Sequence, residues 1–186
     1  MNLPNKLTML RIILIPIMMG FLLIQFREEY GYYAQFFALG IFIIAAITDG
    51  LDGYIARRQG EITKFGKLID PLADKLLISA ALIAFVDMGR ISAWPVLLII
   101  GREFAVMGLR VLAAAEGTVI SASKLGKAKT VLQITAIISV MIHPQIIRFP
   151  FQIHQILIWL AVGITIYSGY DYFRRGQKVL LDEQQG

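Results

Sequence analysis

A chain of 186 residues with 57% apolar side chains and a mean hydropathy of +0.67 is too apolar for a soluble domain of its size, where about 45–50% would be usual. It has no cysteine, which excludes disulfides, thiolate metal sites and cysteine nucleophiles. Its formal charge of +5 would suit nucleic acid, but basic residues flanking apolar spans meet anionic lipid headgroups, so the expected partner is membrane lipid and not nucleic acid.

The first apolar run, interrupted by Pro16, predicts a helix over residues 7–26 with a turn at Pro4 and Asn5 before it. Lys6 and Arg11 ahead of an apolar core imitate a secretory signal, but no small-residue cleavage site follows, so an uncleaved helix is expected. After a charged turn at Arg27, Glu28 and Glu29, a second helix is predicted over 31–57, then a loop over 58–65. A third runs over 66–88 with Asp70, Pro71 and Asp74 in its opening turns, where proline is tolerated because the missing amide hydrogen would be unpaired anyway. Residues 87–92 form a turn before a fourth helix over 93–116, which carries Arg102, Glu103 and Arg110 inside an apolar span. A polar loop with Ser121, Ser123, Lys124, Lys127 and Lys129 leads into a fifth helix over 127–142. A sixth covers 151–172 and ends in Arg174, Arg175 and Lys178; the tail 182–186 is expected to fray.

Six spans place both termini on one side. If that side is cytoplasmic, thirteen of the eighteen Lys and Arg lie inside and only Arg27, Arg90 and Arg148 outside, with Arg102 and Arg110 within a span, as the positive-inside rule requires. The expected architecture is therefore an all-α integral membrane protein of the cell membrane, with six transmembrane helices, cytoplasmic termini and a single domain over residues 1–186.

Four aspartates, Asp49, Asp52, Asp70 and Asp74, fall at the predicted cytoplasmic ends of helices two and three. A carboxylate at bilayer depth costs about 2.5–3.5 kcal/mol on insertion scales, so four of them argue for a use of the charge. Spacings of three and four put each pair on one helical face, and two antiparallel helices with a short loop bring such faces together. Four hard oxygen donors match Mg²⁺ or Mn²⁺ better than zinc. A pair of ions roughly 3.5–4 Å apart is the arrangement that handles phosphoryl chemistry. The plainer alternative is a juxtamembrane salt bridge from each Asp to Arg57, Arg58, Lys67 or Lys75. It suits any single aspartate, but four at helical spacing with Gly53 and Gly66 beside them favour metal.

The run Asp49-x-x-Asp52-Gly53-x-x-Ala56-Arg57, eight further residues, then Gly66-x-x-x-Asp70-x-x-x-Asp74 resembles the complete signature of the CDP-alcohol phosphatidyltransferases, without a departure. The resemblance implies a six-helix membrane enzyme, a homodimer, that transfers the phosphatidyl group of CDP-diacylglycerol to an alcohol and releases CMP. It also implies that the four aspartates hold two Mg²⁺ or Mn²⁺ ions and that Asp74 is the base. Asp49, Gly53, Ala56, Arg57 and Gly66 would line the donor's cytidine and diphosphate at the cytoplasmic face. The opening Asn5-x-x-Thr8-x-x-Arg11 resembles a recurrent start of these enzymes, one face of which would touch the donor headgroup. An N-cap followed by a lipid-facing Arg explains it as well.

The signature leaves the acceptor open. Glu103 and Arg110, seven apart, share a face of the fourth helix; the plainer alternative is a buried charge network of Arg102 or Arg110 with Glu103 or with Asp171 of a neighbouring helix, which suits Arg102 and Glu103 best. Arg110 lies near Ser123, Lys124, Lys127 and Lys129 in sequence terms, where several cations can converge on an anion. Such a pocket repels choline or ethanolamine and suits glycerol 3-phosphate. Residues 101–103 and 125–130 also resemble the phosphatidylglycerophosphate-forming branch of that family. Inositol phosphate and phosphatidylglycerol are competing acceptors, and a small cation transporter is the alternative from another class. Trp94, Trp159, Tyr30, Tyr32 and Tyr33 read as packing or interfacial anchors. His143 and His154 fall far from the aspartates.

Overall fold

The computed structural model describes residues 3–24, 28–59, 64–115, 117, 124–142 and 153–182, with side chains described over shorter stretches of them. These residues form six helices: α1 (Leu3–Leu23), α2 (Glu28–Gln59), α3 (Lys64–Asp87), α4 (Ala93–Ala115), α5 (Lys124–Ile142) and α6 (Ile153–Asp182). Among the described residues there is no strand. Every helix predicted from the apolar pattern is present, and the differences lie at the ends.

Helix α1 starts at Leu3, so Pro4 and Asn5 belong to its first turn and not to a preceding bend. Proline fits there because the amide hydrogen it lacks has no helical acceptor to lose. Glu28 and Glu29 open α2 instead of closing a turn before it, and acidic residues suit the positive end of the helix dipole. Because α3 begins at Lys64, Pro71 lies two turns inside it and not at its start; the ring removes one backbone bond from the ladder. Helix α6 runs ten residues past Tyr172 to Asp182. The long apolar run ends at Tyr172, whereas the mixed segment that follows contains no helix breaker except Gly176.

The contacts divide the chain into two units, residues 1–90 with 140–148, and residues 91–139 with 149–186. In the first, α1 packs on α2 and α3, and α2 on α3. The buried residues of α1 are Asn5, Thr8, Arg11, Ile15, Met18 and Leu22, a spacing of three and four that makes one continuous face. The two helices it packs on bury many small residues, Ala34, Ala38 and Ala45 on α2 and Ala73, Ala80, Ala81 and Ala84 on α3. Where lipid removes the hydrophobic drive between helices, close backbone approach by such residues is what holds them. Phe42 and Phe85 fill the remaining space, each 0% exposed.

The end of α3 is closed by two bonds, Gly89 N–H to Val86 O and Arg90 N–H to Phe85 O, both 2.9 Å, with Gly89 at φ 67°. That left-handed residue is free of Cβ strain only as glycine. The cap presents Arg90, whose Nη2 donates to Gln35 Oε1 at 3.2 Å, while Gln35 Nε2 donates to the Met141 carbonyl at 2.8 Å. Burial pushes the Arg90 guanidinium below its ordinary pKa. One buried amide thus ties the start of α2, the cap of α3 and the end of α5.

In the second unit α4 packs on α6, and the buried apolar residues include Val96, Ile99, Val106 and Ala113 on α4 and Ile158, Ala161 and Val162 on α6. Ser92 immediately precedes α4, its Oγ accepting from Trp94 N–H at 3.4 Å. Residues 5–23, 125–142 and 153–174 are long and apolar enough to cross a membrane. Large apolar side chains stay on the outside throughout, among them Tyr33, Phe37, Trp94 and Trp159. The expected anchors Tyr33, Trp94 and Trp159 are thus outward-facing and not core packing, while Tyr30 and Tyr32 lie outside the described side chains.

Candidate active site

The aspartate signature occupies the end of α2 and the beginning of α3, two helices packed on each other in the first unit. Asp49, Asp52, Gly53, Ala56 and Arg57 fall on the last turns of α2; Gly66, Asp70 and Asp74 fall on the first three turns of α3. The backbone therefore supplies what the spacing demands, two helical segments joined by a short connection over 60–63. The side chains of Asp49, Asp52, Ala56, Arg57 and Asp70 lie outside the described ones, as do the surroundings of Gly53 and Gly66.

Asp74 is described. Its carboxylate is 25% exposed, and Lys75 Nζ donates to its Oδ2 at 2.7 Å. The pair is partly buried, and both partners keep about a quarter of their side-chain surface exposed. Directly behind it, Ala73 and Leu77 are buried in the core of the unit. Asp74 is thus carried on a firmly packed segment with its charged end accessible, the position a group needs if it is to meet a substrate from water.

On α1, Asn5, Thr8 and Arg11 form the polar end of the inward face. Arg11 and Thr8 are each 1% exposed and Asn5 8%. This overturns the reading of Arg11 as lipid-facing and of Asn5 as an N-cap: the guanidinium is enclosed by the unit, and α1 begins two residues before Asn5. A fully enclosed Arg is rare unless paired, and all three residues have interaction partners.

The second unit carries the residues expected at the acceptor. Arg110 on α4 and Lys127 on α5 are exposed. Ser123 and the side chain of Lys124 lie outside what is described, although Lys124 opens α5 three residues earlier than the apolar pattern predicts. Lys129 does not join them as an available cation. It is 3% exposed and donates to Glu103 Oε1, while Arg102 Nη1 stands 3.5 Å from the same oxygen. The buried network expected for Arg102 and Glu103 is present, with Lys129 as an additional member. Sequence reasoning also missed two buried polar links, Gln35 with Arg90 and Met141, and Gln133 Nε2 with Thr165 Oγ1 at 3.2 Å. A glutamine inside an otherwise apolar helix was the available signal for both.

The family model for CDP-alcohol phosphatidyltransferase matches residues 1–167, so the signature, α1 and most of both units fall within it. The chain belongs to the CDP-alcohol phosphatidyltransferase family; it is an integral membrane phosphatidyltransferase. A Bacillus subtilis (strain 168) protein named CDP-diacylglycerol--glycerol-3-phosphate 3-phosphatidyltransferase is 46% identical, over 96% of this chain and 97% of the relative. Proteins of the same name from Rickettsia felis and Pseudomonas fluorescens are 38% and 36% identical, over 95% and 94% of this chain and 96% and 89% of theirs.

Proposed function

We propose that this chain transfers the phosphatidyl group of CDP-diacylglycerol to glycerol 3-phosphate, giving phosphatidylglycerophosphate and CMP. The observation that carries the reading is the unbroken signature over α2 and α3 in a chain that matches the Bacillus subtilis protein of that name almost end to end. In the reaction the acceptor hydroxyl oxygen bonds to the phosphorus attached to diacylglycerol. The bond from that phosphorus to the bridging oxygen breaks, and CMP leaves with that oxygen. Asp74, accessible on a rigid segment, takes the hydroxyl proton, a role that typically contributes about 10²–10⁴-fold.

Asp49, Asp52, Asp70 and Asp74 are the residues that would hold two Mg²⁺ or Mn²⁺ ions. Four carboxylates at the end of α2 and the beginning of α3 fit hard cations, and the one that is described, Asp74, keeps its carboxylate 25% exposed beside Lys75. Such ions supply charge neutralisation at the diphosphate. Gly53, Ala56, Arg57 and Gly66, with Asn5 and Thr8 from α1, bind the donor's cytidine and diphosphate. Arg57 neutralises phosphate oxygens, and the glycines allow close approach. Arg110, Ser123, Lys124 and Lys127 bind the acceptor's own phosphate. The chain is read as one domain with six spans, termini and active site on the cytoplasmic face of the cell membrane, and as a homodimer. The basic residues around the signature and the family resemblance support this.

The test is to give purified enzyme CDP-diacylglycerol with glycerol 3-phosphate, inositol phosphate or phosphatidylglycerol in turn, and to measure CMP and the lipid formed. Glycerol 3-phosphate is expected to be turned over fastest. Faster turnover of another alcohol reassigns the acceptor. Absence of CMP with all three, together with cation flux in proteoliposomes, would favour the transporter.

A further inference from the structure

Two part-buried arginines outside the signature are partnered in different ways. Arg102 in the second unit shares the Glu103 carboxylate with Lys129, donates to Ser168 Oγ at 2.8 Å, and crosses α6 at Gly169, where an added Cβ would stand 3.0 Å from Arg102 Cγ. Its charge is met inside the protein. Arg90 in the first unit has no such partner. Its Nη2 donates to the neutral amide of Gln35 at 3.2 Å, and its Nη1 is enclosed without a hydrogen bond. Among the described residues no carboxylate pairs with it. Asp87, three residues earlier, is exposed, and Glu28 and Glu29 lie about 10 Å from Gln35 along α2.

The guanidinium is nevertheless held in place. The Met141 carbonyl can only accept, so Gln35 Nε2 must face it, which turns Oε1 toward Arg90. Gly89, at φ 67°, closes α3 and fixes the backbone from which Arg90 departs. Arg90 as a whole stays part-exposed. Its surroundings are the kind that supply phosphate. Met141 stands next to the end of residues 125–142, a segment long and apolar enough to cross a membrane, so the cluster lies where hydrocarbon gives way to headgroups. A fixed guanidinium with no internal counter-ion suits the paired oxygens of a phosphate there. Tyr33 and Phe37, two residues to either side of Gln35, are each 62% exposed and offer apolar surface to an acyl chain. The signature is elsewhere, since Asp49 lies about 21 Å along α2 from Gln35.

We propose that Arg90 is the receptor for the phosphodiester of a membrane phospholipid, bound at the end of the first unit opposite the aspartates. The lipid supplies the counter-ion that the protein does not, and it braces the junction of α2, α3 and α5. It is a structural ligand and not a substrate, so the inference does not depend on which alcohol the enzyme accepts.

The experiment uses the purified full-length protein, delipidated in detergent. Phosphatidylglycerol is expected to raise the thermal midpoint by roughly 2–4 °C, and diacylglycerol with the same acyl chains, which has no phosphate, by much less. Arg90→Gln should lose the difference between the two lipids, and Arg90→Lys, which keeps the charge, should retain part of it. A shift equal for both lipids, or one that Arg90→Gln keeps in full, overturns the proposal. So does a shift that inorganic phosphate alone reproduces, because the site would then take a free anion. If Arg90→Gln does not fold, a phospholipid with a photoreactive headgroup, added to the parent, decides: cross-links within residues 87–92 support the site, and cross-links confined to other segments overturn it.

Discussion

Asp74 combines two properties that seldom coincide in an apolar helix, a packed backbone and an accessible carboxylate. If it is the base, Asp74→Asn keeps the shape and removes the proton acceptor. CMP release is then expected to drop by about 10²-fold or more, while the variant still inserts and elutes from detergent as the parent does. Turnover near the parental rate would remove Asp74 from that role. A separate expectation concerns the ions. Chelation should abolish turnover, Mg²⁺ or Mn²⁺ should restore it, and Asp49→Ala or Asp70→Ala should not be rescued by either. Unchanged metal dependence in both variants would count against a shared site. The aspartates were legible in the sequence because charge in an apolar run is improbable on energetic grounds alone. Arg11 was not, since a local pattern does not distinguish a basic residue facing lipid headgroups from one enclosed by two neighbouring helices.

At the level of helices, apolar periodicity located all six and misplaced their ends. The end of α6 shows the reason: hydropathy reports where lipid stops, whereas a helix continues as long as its backbone bonds can be made. Lys129 shows the complementary failure. In sequence it belongs to a basic run with Lys124 and Lys127, and only the approach of α4 reveals that it faces a carboxylate. The crossing at Gly169 gives a direct test of packing in the second unit. Gly169→Val places atoms where the Arg102 stem runs, and overfilling of this kind costs about 1–3 kcal/mol. A lowered thermal midpoint in detergent is expected, whereas an unchanged midpoint would mean that the stem moves aside freely.

For the molecule as a whole, the arrangement in the membrane is open to a clean experiment because the chain has no cysteine of its own. With cytoplasmic termini, Pro144→Cys in intact cells should react with an impermeant maleimide, and Ser121→Cys should react only after the membrane is opened. The reverse pattern would invert the topology and place the aspartates outside. The signature and the six helices could be read from one sequence because each depends on residues near one another in the chain. The two polar links through Gln35 and Gln133 could not, because their partners come from distant helices.

The bond from Gln35 to the Met141 carbonyl spans 106 residues, and this separation governs how the protein must be made. At synthesis rates of about 5–20 residues per second, Gln35 is made roughly 5–20 s before the end of α5 exists to receive its amide. The first unit therefore cannot be finished in the order in which it is translated. A nascent chain halted after α4 would carry Gln35 with the Met141 carbonyl still unmade, and such a fragment is the form on which quality control would be expected to act.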